Sequence, residues 1–261
     1  MCIILLALDV HPEYKLILLS NRDEFYNRPT APLAFWDDFP DLLAGRDLKA
    51  GGTWLGVTLG GRIGALTNFR DPATRKERAP SRGNLLKRFL TGKESASAFL
   101  QNLQEKASRY NGFNLLIGDL EKIFWYSNRG RGAVRLKPGI YGLSNHLLDT
   151  PWPKVTWGKE ALKQALHRPR SPEPSSLLEI LHSRRIPDDE LLPDTGVGIE
   201  WERLLAPIFV VSPKYGTRAS SILLIDRKHR GIFWEESFGS DGKPLGTHRY
   251  TFQLMKSKIR R

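Results

Sequence analysis

The chain has one cysteine, Cys2, in 261 residues, and only two methionines. A single thiol excludes an internal disulfide framework and any metal site built from several cysteines. The six histidines share no ligand spacing, so no metal site is expected. No apolar stretch approaches the ~18 residues of a membrane-spanning helix, and the first ten residues lack the basic leader of a signal peptide. A reducing, cytoplasmic compartment is the expectation. Internal repeats and low-complexity linkers are absent as well, which favours one domain over 1–261. Acidic residues are scarce beside basic ones, 28 against 40, for a formal net charge of +12. The excess crowds 70–88 and 256–261, yet no zinc-finger spacing, RNP-type strand or basic helix leading into heptads accompanies it. That argues against nucleic acid as a partner and for attraction of anionic ligands or membrane surfaces.

Hydrophobic residues make up 40% of the chain, and their pattern is rich in strands. Segments 3–9 and 15–22 are apolar and joined by His11-Pro-Glu-Tyr14, which predicts an antiparallel hairpin. Both are apolar at odd and even positions alike, as in strands covered on both faces. A second hairpin is expected over 53–58 and 62–68, turning at Gly60-Gly61. Helices are predicted over 84–90 and 95–108, with Ser81 and Ser95 as caps. Strands return at 113–118, 123–127, 134–136 and 140–142, helices at 157–167 and 175–182, and strands at 220–226, 232–237 and 249–254. The proline-rich, charged stretch 168–194 reads as an exposed excursion. The order is α+β. With the first hairpin buried on both faces, a four-layer αββα sandwich of two mainly antiparallel sheets satisfies burial best.

The placement of Cys2 carries the chemistry. Loss of the initiator methionine would leave a thiol and a free α-amine on one residue. Such an amine titrates at about 7.7–8.0 and can take the thiol's proton, so one residue supplies nucleophile and base. A small buried hydrophobe opening a strand is the plainer alternative. If Val10 faces Lys15 across the first turn, residue 2 faces Asp23, with Arg22 and Glu24 beside it. The thiol and the cluster Asn21-Arg22-Asp23-Glu24 then share one end of the hairpin. A cation beside a thiol favours the thiolate, and a carboxylate can hold the α-ammonium. A strand-end salt bridge explains the same residues structurally. Asn68 and Asn145 are side chains able to donate to a developing oxyanion, or else turn residues. Arg218 opens an apolar strand and is a further cleft candidate. His146 is the candidate axial ligand for haem. In Gly51-Gly-Thr-Trp-Leu-Gly56, glycine lets the backbone approach a neighbour or a ligand.

With Cys2, Asn21-Arg-Asp-Glu24, Gly51-Gly-Thr-Trp-Leu-Gly56, Gly142-Leu-Ser-Asn-His146 and Thr217-Arg218 in this order, the chain resembles the NRDE family, which includes transport and Golgi organisation protein 2. The resemblance runs essentially the full length. It implies the fold of N-terminal nucleophile hydrolases, in agreement with the sandwich inferred from burial. Cysteine members of that superfamily, such as penicillin V acylase and bile salt hydrolase, use an N-terminal cysteine, an arginine and an aspartate after the next strand, asparagine oxyanion donors and a late arginine. The positions that match are Cys2, Arg22, Asp23, Asn145 and Arg218; Asn21, Glu24, Asn68 and His146 are the flanking binding candidates. In those hydrolases two residues separate the arginine from the aspartate. Here Arg22 and Asp23 are adjacent and point to opposite sides of a regular strand.

Two functions follow as expectations. The first is hydrolysis of a carbon–nitrogen bond in a small-molecule amide, with no cofactor required. The second, implied by the family's eukaryotic members, is a non-catalytic carrier of haem or of an acyl-lipid or acyl-coenzyme A, in haem trafficking or lipid homeostasis.

Overall fold

The computed structural model of the protein describes residues 2–168 and 172–255, residue 2 by its backbone. The basic tail 256–261 lies outside the described residues. The first hairpin, β1 (Cys2–Leu8) and β2 (Tyr14–Phe25), shows why its residues are apolar at every position. Its even residues, Ile4, Leu6, Leu8, Leu16 and Leu18, enter a core shared with a second sheet. Its odd residues, Ile3, Leu5, Ala7, Ile17 and Leu19, pack against helices on the other side. Paired positions fall one residue short of the expected register. Cys2 stands opposite Arg22, where Asp23 was expected. Asp9 is the reason: it takes the left-handed conformation (φ 54) and donates its N–H to the Lys15 carbonyl, so the turn starts one residue early. A slip of one residue exchanges the two faces, so this correction bears on the site.

The next strands are β3 (Thr30–Trp36), β4 (Phe39–Asp47), β5 (Leu55–Thr58) and β6 (Ile63–Asn68). The hairpin β3–β4 was not legible in the sequence. Pro32, Pro40 and Asp41 interrupt its apolar pattern, and proline is tolerated because β3 is an edge strand. Then come α1 (Arg82–Thr91) and α2 (Ala96–Gln104), close to expectation. Ser95 caps α2 by accepting from the Ala98 N–H at 3.2 Å, whereas Ser81 occupies the cap position of α1 without a side-chain bond. After these follow β7 (Phe113–Gly118), β8 (Ile123–Ser127), β9 (Val134–Arg135), β10 (Gly139–Leu143), α3 (Pro153–Leu166) and α4 (Pro174–Leu181). Beyond the stretch 168–194 the chain forms a short helix, α5 (Ile199–Leu205), which the sequence pattern did not predict, followed by β11 (Tyr215–Asp226), β12 (Arg230–Phe238) and β13 (Pro244–Gln253).

One sheet runs β10-β1-β2-β11-β12-β13 and the other β3-β4-β5-β6-β7-β8-β9, with every pair antiparallel. Helices α3 and α4 cover the first sheet through Leu162, Leu177 and Leu181. Helices α1 and α2 cover the second through Leu86, Phe89, Phe99 and Leu103. The layers are therefore αββα. No helix among the described residues is long and apolar enough to cross a membrane.

Candidate functional site

The polar end of β2 sits among the ends of β1, β6 and β11, with its residues dealt to alternate faces. Arg22 turns into the space between the sheets. It is 5% exposed, and its guanidinium lies 4.4 Å over the ring of Trp54. Its Nη2 is 3.9 Å from Glu24 Oε2, and its Nη1 has no hydrogen-bond partner among the described residues. A buried cation held by an aromatic face and one distant carboxylate is suited to take up an anion. The Gly51-Gly-Thr-Trp segment supplies that aromatic face. A Cβ on Gly52 would lie 2.4 Å from the Gly83 backbone, so glycine serves contact with the start of α1.

Asp23 turns the other way and is buried. Its Oδ1 accepts from Thr217 Oγ1 at 2.8 Å, and its carbonyl accepts from Tyr215 Oη at 3.0 Å. Burial raises its pKa, against the opposing pull of Lys154 and the Thr217 hydrogen bond. Lys154 is itself 3% exposed and donates to the Leu205 carbonyl at 2.8 Å. Asn21 shares this face and is fully engaged: Nδ2 donates to the carbonyls of Leu181 and Ile208, and Oδ1 accepts from Ser220. Arg218 is the extra residue of a bulge, since Thr217 faces Asp23 while Ala219 faces Arg22. Its Nη1 donates to the carbonyls of Phe25, Tyr26 and Arg28, clamping the chain beyond β2. Burial lowers its pKa, and the like charge of Arg22 adds to the effect. Glu24 accepts from the Phe25 N–H at 2.9 Å and lies 3.7 Å from Arg28 Nε.

From the second sheet come Asn68, at the end of β6, and Asn145. Asn145 is buried; its Nδ2 donates to the Asn68 carbonyl at 2.9 Å, and its own carbonyl accepts from the Arg70 N–H. It stitches the loop after β10 to the end of β6. His146 packs its ring 4.8 Å from Phe69 and 5.7 Å from Trp152, with Nδ1 at 2.8 Å from Thr150 Oγ1. Burial lowers its pKa. The structure therefore gathers Arg22, Asp23, Glu24, Asn68, Asn145 and Arg218 around one end of the sandwich. Asn21 and His146 face into packing.

Beside them opens a cleft of about 660 Å³ whose lining includes Glu24, Phe25, Asn68, Arg70, Trp201 and Tyr215. Three buried charged residues at this end, Arg70, Glu202 and Glu235, were not among the site candidates read from the sequence. Arg70 and Glu202 form a hydrogen-bonded, buried ion pair, with Glu202 also accepting from Thr195, and Arg70 lies 5.0 Å over Trp152. This pair fastens α5 over the cleft. Burial lowers the pKa of Arg70, and Glu202 resists the shift. Glu235, 1% exposed on β12, accepts from the Leu33 N–H at 2.7 Å and Ser221 Oγ at 3.2 Å. Burial pushes its carboxyl up to about 7, and Arg22 is among the groups pulling it back. Only long-range pairing brings these residues together, so their spacing in the chain is uninformative. Among the described residues, no group of three His, Cys, Asp or Glu could hold a metal ion.

A profile of the family described as Transport and Golgi organisation 2 matches residues 1–240. The chain is 38% identical over 279 aligned positions to the Transport and Golgi organization protein 2 homolog of Bos taurus, covering 97% of this chain and 99% of that protein. It is 37% identical to the Transport and Golgi organization 2 homolog of Mus musculus, with the same coverage. Among solved structures, the C2A mutant of the conjugated bile acid hydrolase of Clostridium perfringens is similar with a TM-score of 0.51, over 99% of this chain and 100% of that one, at 10% identity. That likeness is one of fold, and the fold is the N-terminal nucleophile hydrolase sandwich.

Proposed function

The chain belongs to the Transport and Golgi organisation 2 family, and from that premise we propose that its cleft hydrolyses the carbon–nitrogen bond of a small-molecule amide with Cys2 as nucleophile. The observation that carries the reading is the register, which sets Cys2 opposite Arg22 at the end of the hairpin beside the cleft. Once Met1 is removed, the α-amine takes the thiol proton and the thiolate attacks the carbonyl carbon. Carbon–sulfur bond formation drives charge onto the oxygen, and the donor assigned to it is Asn145, through the second N–H of an amide whose first already holds the Asn68 carbonyl. Collapse breaks the carbon–nitrogen bond as the ammonium returns its proton to the leaving amine. Water then cleaves the thioester, releasing the acid and restoring the thiol. Arg22 favours the thiolate. Asp23, on the far face and hydrogen-bonded to Thr217, acts by holding the strand end in place.

Intact mass and alkylation test this directly. The expected mature chain starts at Cys2, reacts with one equivalent of iodoacetamide near neutral pH, and loses turnover as Cys2→Ser. A purified chain that retains Met1 has an amide where the base should be, and overturns the reading.

A carrier of haem or an acyl-lipid is the second reading, favoured by the exposed aromatics Phe25 and Trp201 on the cleft. It predicts that Cys2→Ala binds such a ligand as wild type does. His146, the candidate haem ligand, packs against Phe69 and Trp152 and holds Thr150 through Nδ1, which leaves Nε2 as the nitrogen for that role.

A further inference from the structure

The two walls of the cleft come from different sheets and differ in chemistry. On the side of the first sheet, Phe25 at the end of β2 and Tyr215 at the start of β11 meet edge to face at 5.0 Å. Trp201 of α5 meets Tyr215 at 6.1 Å. Phe25 and Trp201 are 47% and 42% exposed, so an aromatic surface stands open inside a concave site. On the side of the second sheet, the lining residues Arg75, Lys76 and Arg82 come from the segment between β6 and α1 and from the first residue of α1. Lys76 Nζ also donates to the Ser108 carbonyl and Arg82 Nη1 to the Gly112 carbonyl, each side chain carrying more N–H groups than that one bond uses. One carboxylate, Glu77, stands among these three cations, and the others nearby are engaged elsewhere. Asp71 accepts from Arg129 Nε at 2.9 Å, Glu24 lies against Arg28, and Glu202 is bound to Arg70. Arg75 has no carboxylate partner among the described residues. The cleft thus offers an apolar wall facing a wall of net positive charge.

Resting on the hydrolase reading above, we propose that the cleft selects amphipathic amides that carry an ionised acid group at one end and an apolar body at the other. The apolar body lies on Phe25, Tyr215 and Trp201. The carboxylate, sulfonate or phosphate of the substrate faces Arg75, Lys76 and Arg82, and the amide lies inward, toward Cys2 and Arg22. A neutral amide of equal length forgoes the charge-assisted hydrogen bonds, and a cationic one meets like charge.

Two probes of matched chain length test this: N-dodecanoylglycine and the uncharged N-(2-methoxyethyl)dodecanamide, each titrated calorimetrically and assayed for amine release. The acid is expected to bind about tenfold tighter, a preference that shrinks in high salt. The double variant R75Q/K76Q should bring the two probes within about twofold of each other, and Trp201→Ala should weaken both by a similar factor. Equal affinity of the two probes in wild type, no binding of either, or a preference unchanged in R75Q/K76Q overturns the proposal. Preferential binding of the acid without release of glycine upholds the selection while removing the hydrolase reading. Equal turnover and binding of both probes does the reverse.

Discussion

A carboxyl group enclosed between two sheets is costly unless its oxygens are used, and Glu235 uses both, on the Leu33 N–H and the Ser221 hydroxyl. The first of these bonds occupies an edge-strand donor that the irregular pairing around Pro32 leaves without a ladder partner. The residue titrates at about 7 in the folded chain, against roughly 4.3 when unfolded. Between those values the unfolded chain sheds the proton while the folded chain keeps it. Stability is therefore lost as pH rises through that window, by about 4 kcal/mol for this group, and is level above it. Glu235→Gln keeps the bond from the Leu33 N–H on its Oε1 and exchanges the other for one in which its Nε2 donates to the Ser221 hydroxyl, without the ionisation. Urea unfolding should show it more stable than wild type at pH 8 and close to wild type at pH 4; equal midpoints at both pH values would refute the assignment. The sequence pointed to the cluster at Asn21-Arg22-Asp23-Glu24 but not to the faces of its members. Those depended on one residue of turn geometry at Asp9, which no composition rule resolves.

Local pattern identified most elements, and its failures have causes that can be named. Strands β7 and β8 match their expected bounds because aromatic and aliphatic residues, with Asn114 the one polar residue inside β7, run between turn signals. The β3–β4 hairpin was missed because Pro32 suits an edge strand that never has to satisfy a full ladder, and Pro40 and Asp41 break the apolar pattern at the start of β4, before its pairing with β5 begins. The bulge in β11 gives Arg218 its place, since the inserted residue leaves the ladder and reaches across the end of β2. The Gly52 contact is another element-scale device, joining the segment before β5 to the first turn of α1. Gly52→Ala puts a methyl group against backbone atoms that cannot rotate away. It should cost about 3 kcal/mol or more, read as a lowered Tm. A melting curve indistinguishable from wild type would mean that the approach is slack.

The central strands of the first sheet are enclosed by the second sheet on one face and by helices on the other, while β3, β9, β10 and β13 form the edges. Opening the centre exposes both cores at once, so amide hydrogen exchange should be slowest over 16–19 and 222–225 and far faster along β13. Comparable protection in β13 would contradict the layered arrangement. The layering itself was legible in the sequence, because a strand apolar on every residue needs cover on both sides, and the antiparallel hairpins excluded a parallel sheet. Cys2, its place at the head of a strand and the polar tetrapeptide ending the next one were also determined by sequence alone. Tertiary structure decided the rest. It set Arg22 rather than Asp23 opposite Cys2, brought Glu235 from two strands away in the same sheet toward Arg22, and raised one aromatic and one cationic wall from segments far apart in the chain. Periodicity and hydrophobicity act within about a dozen residues, whereas a cleft is made of strand ends whose meeting is settled only when the whole core closes.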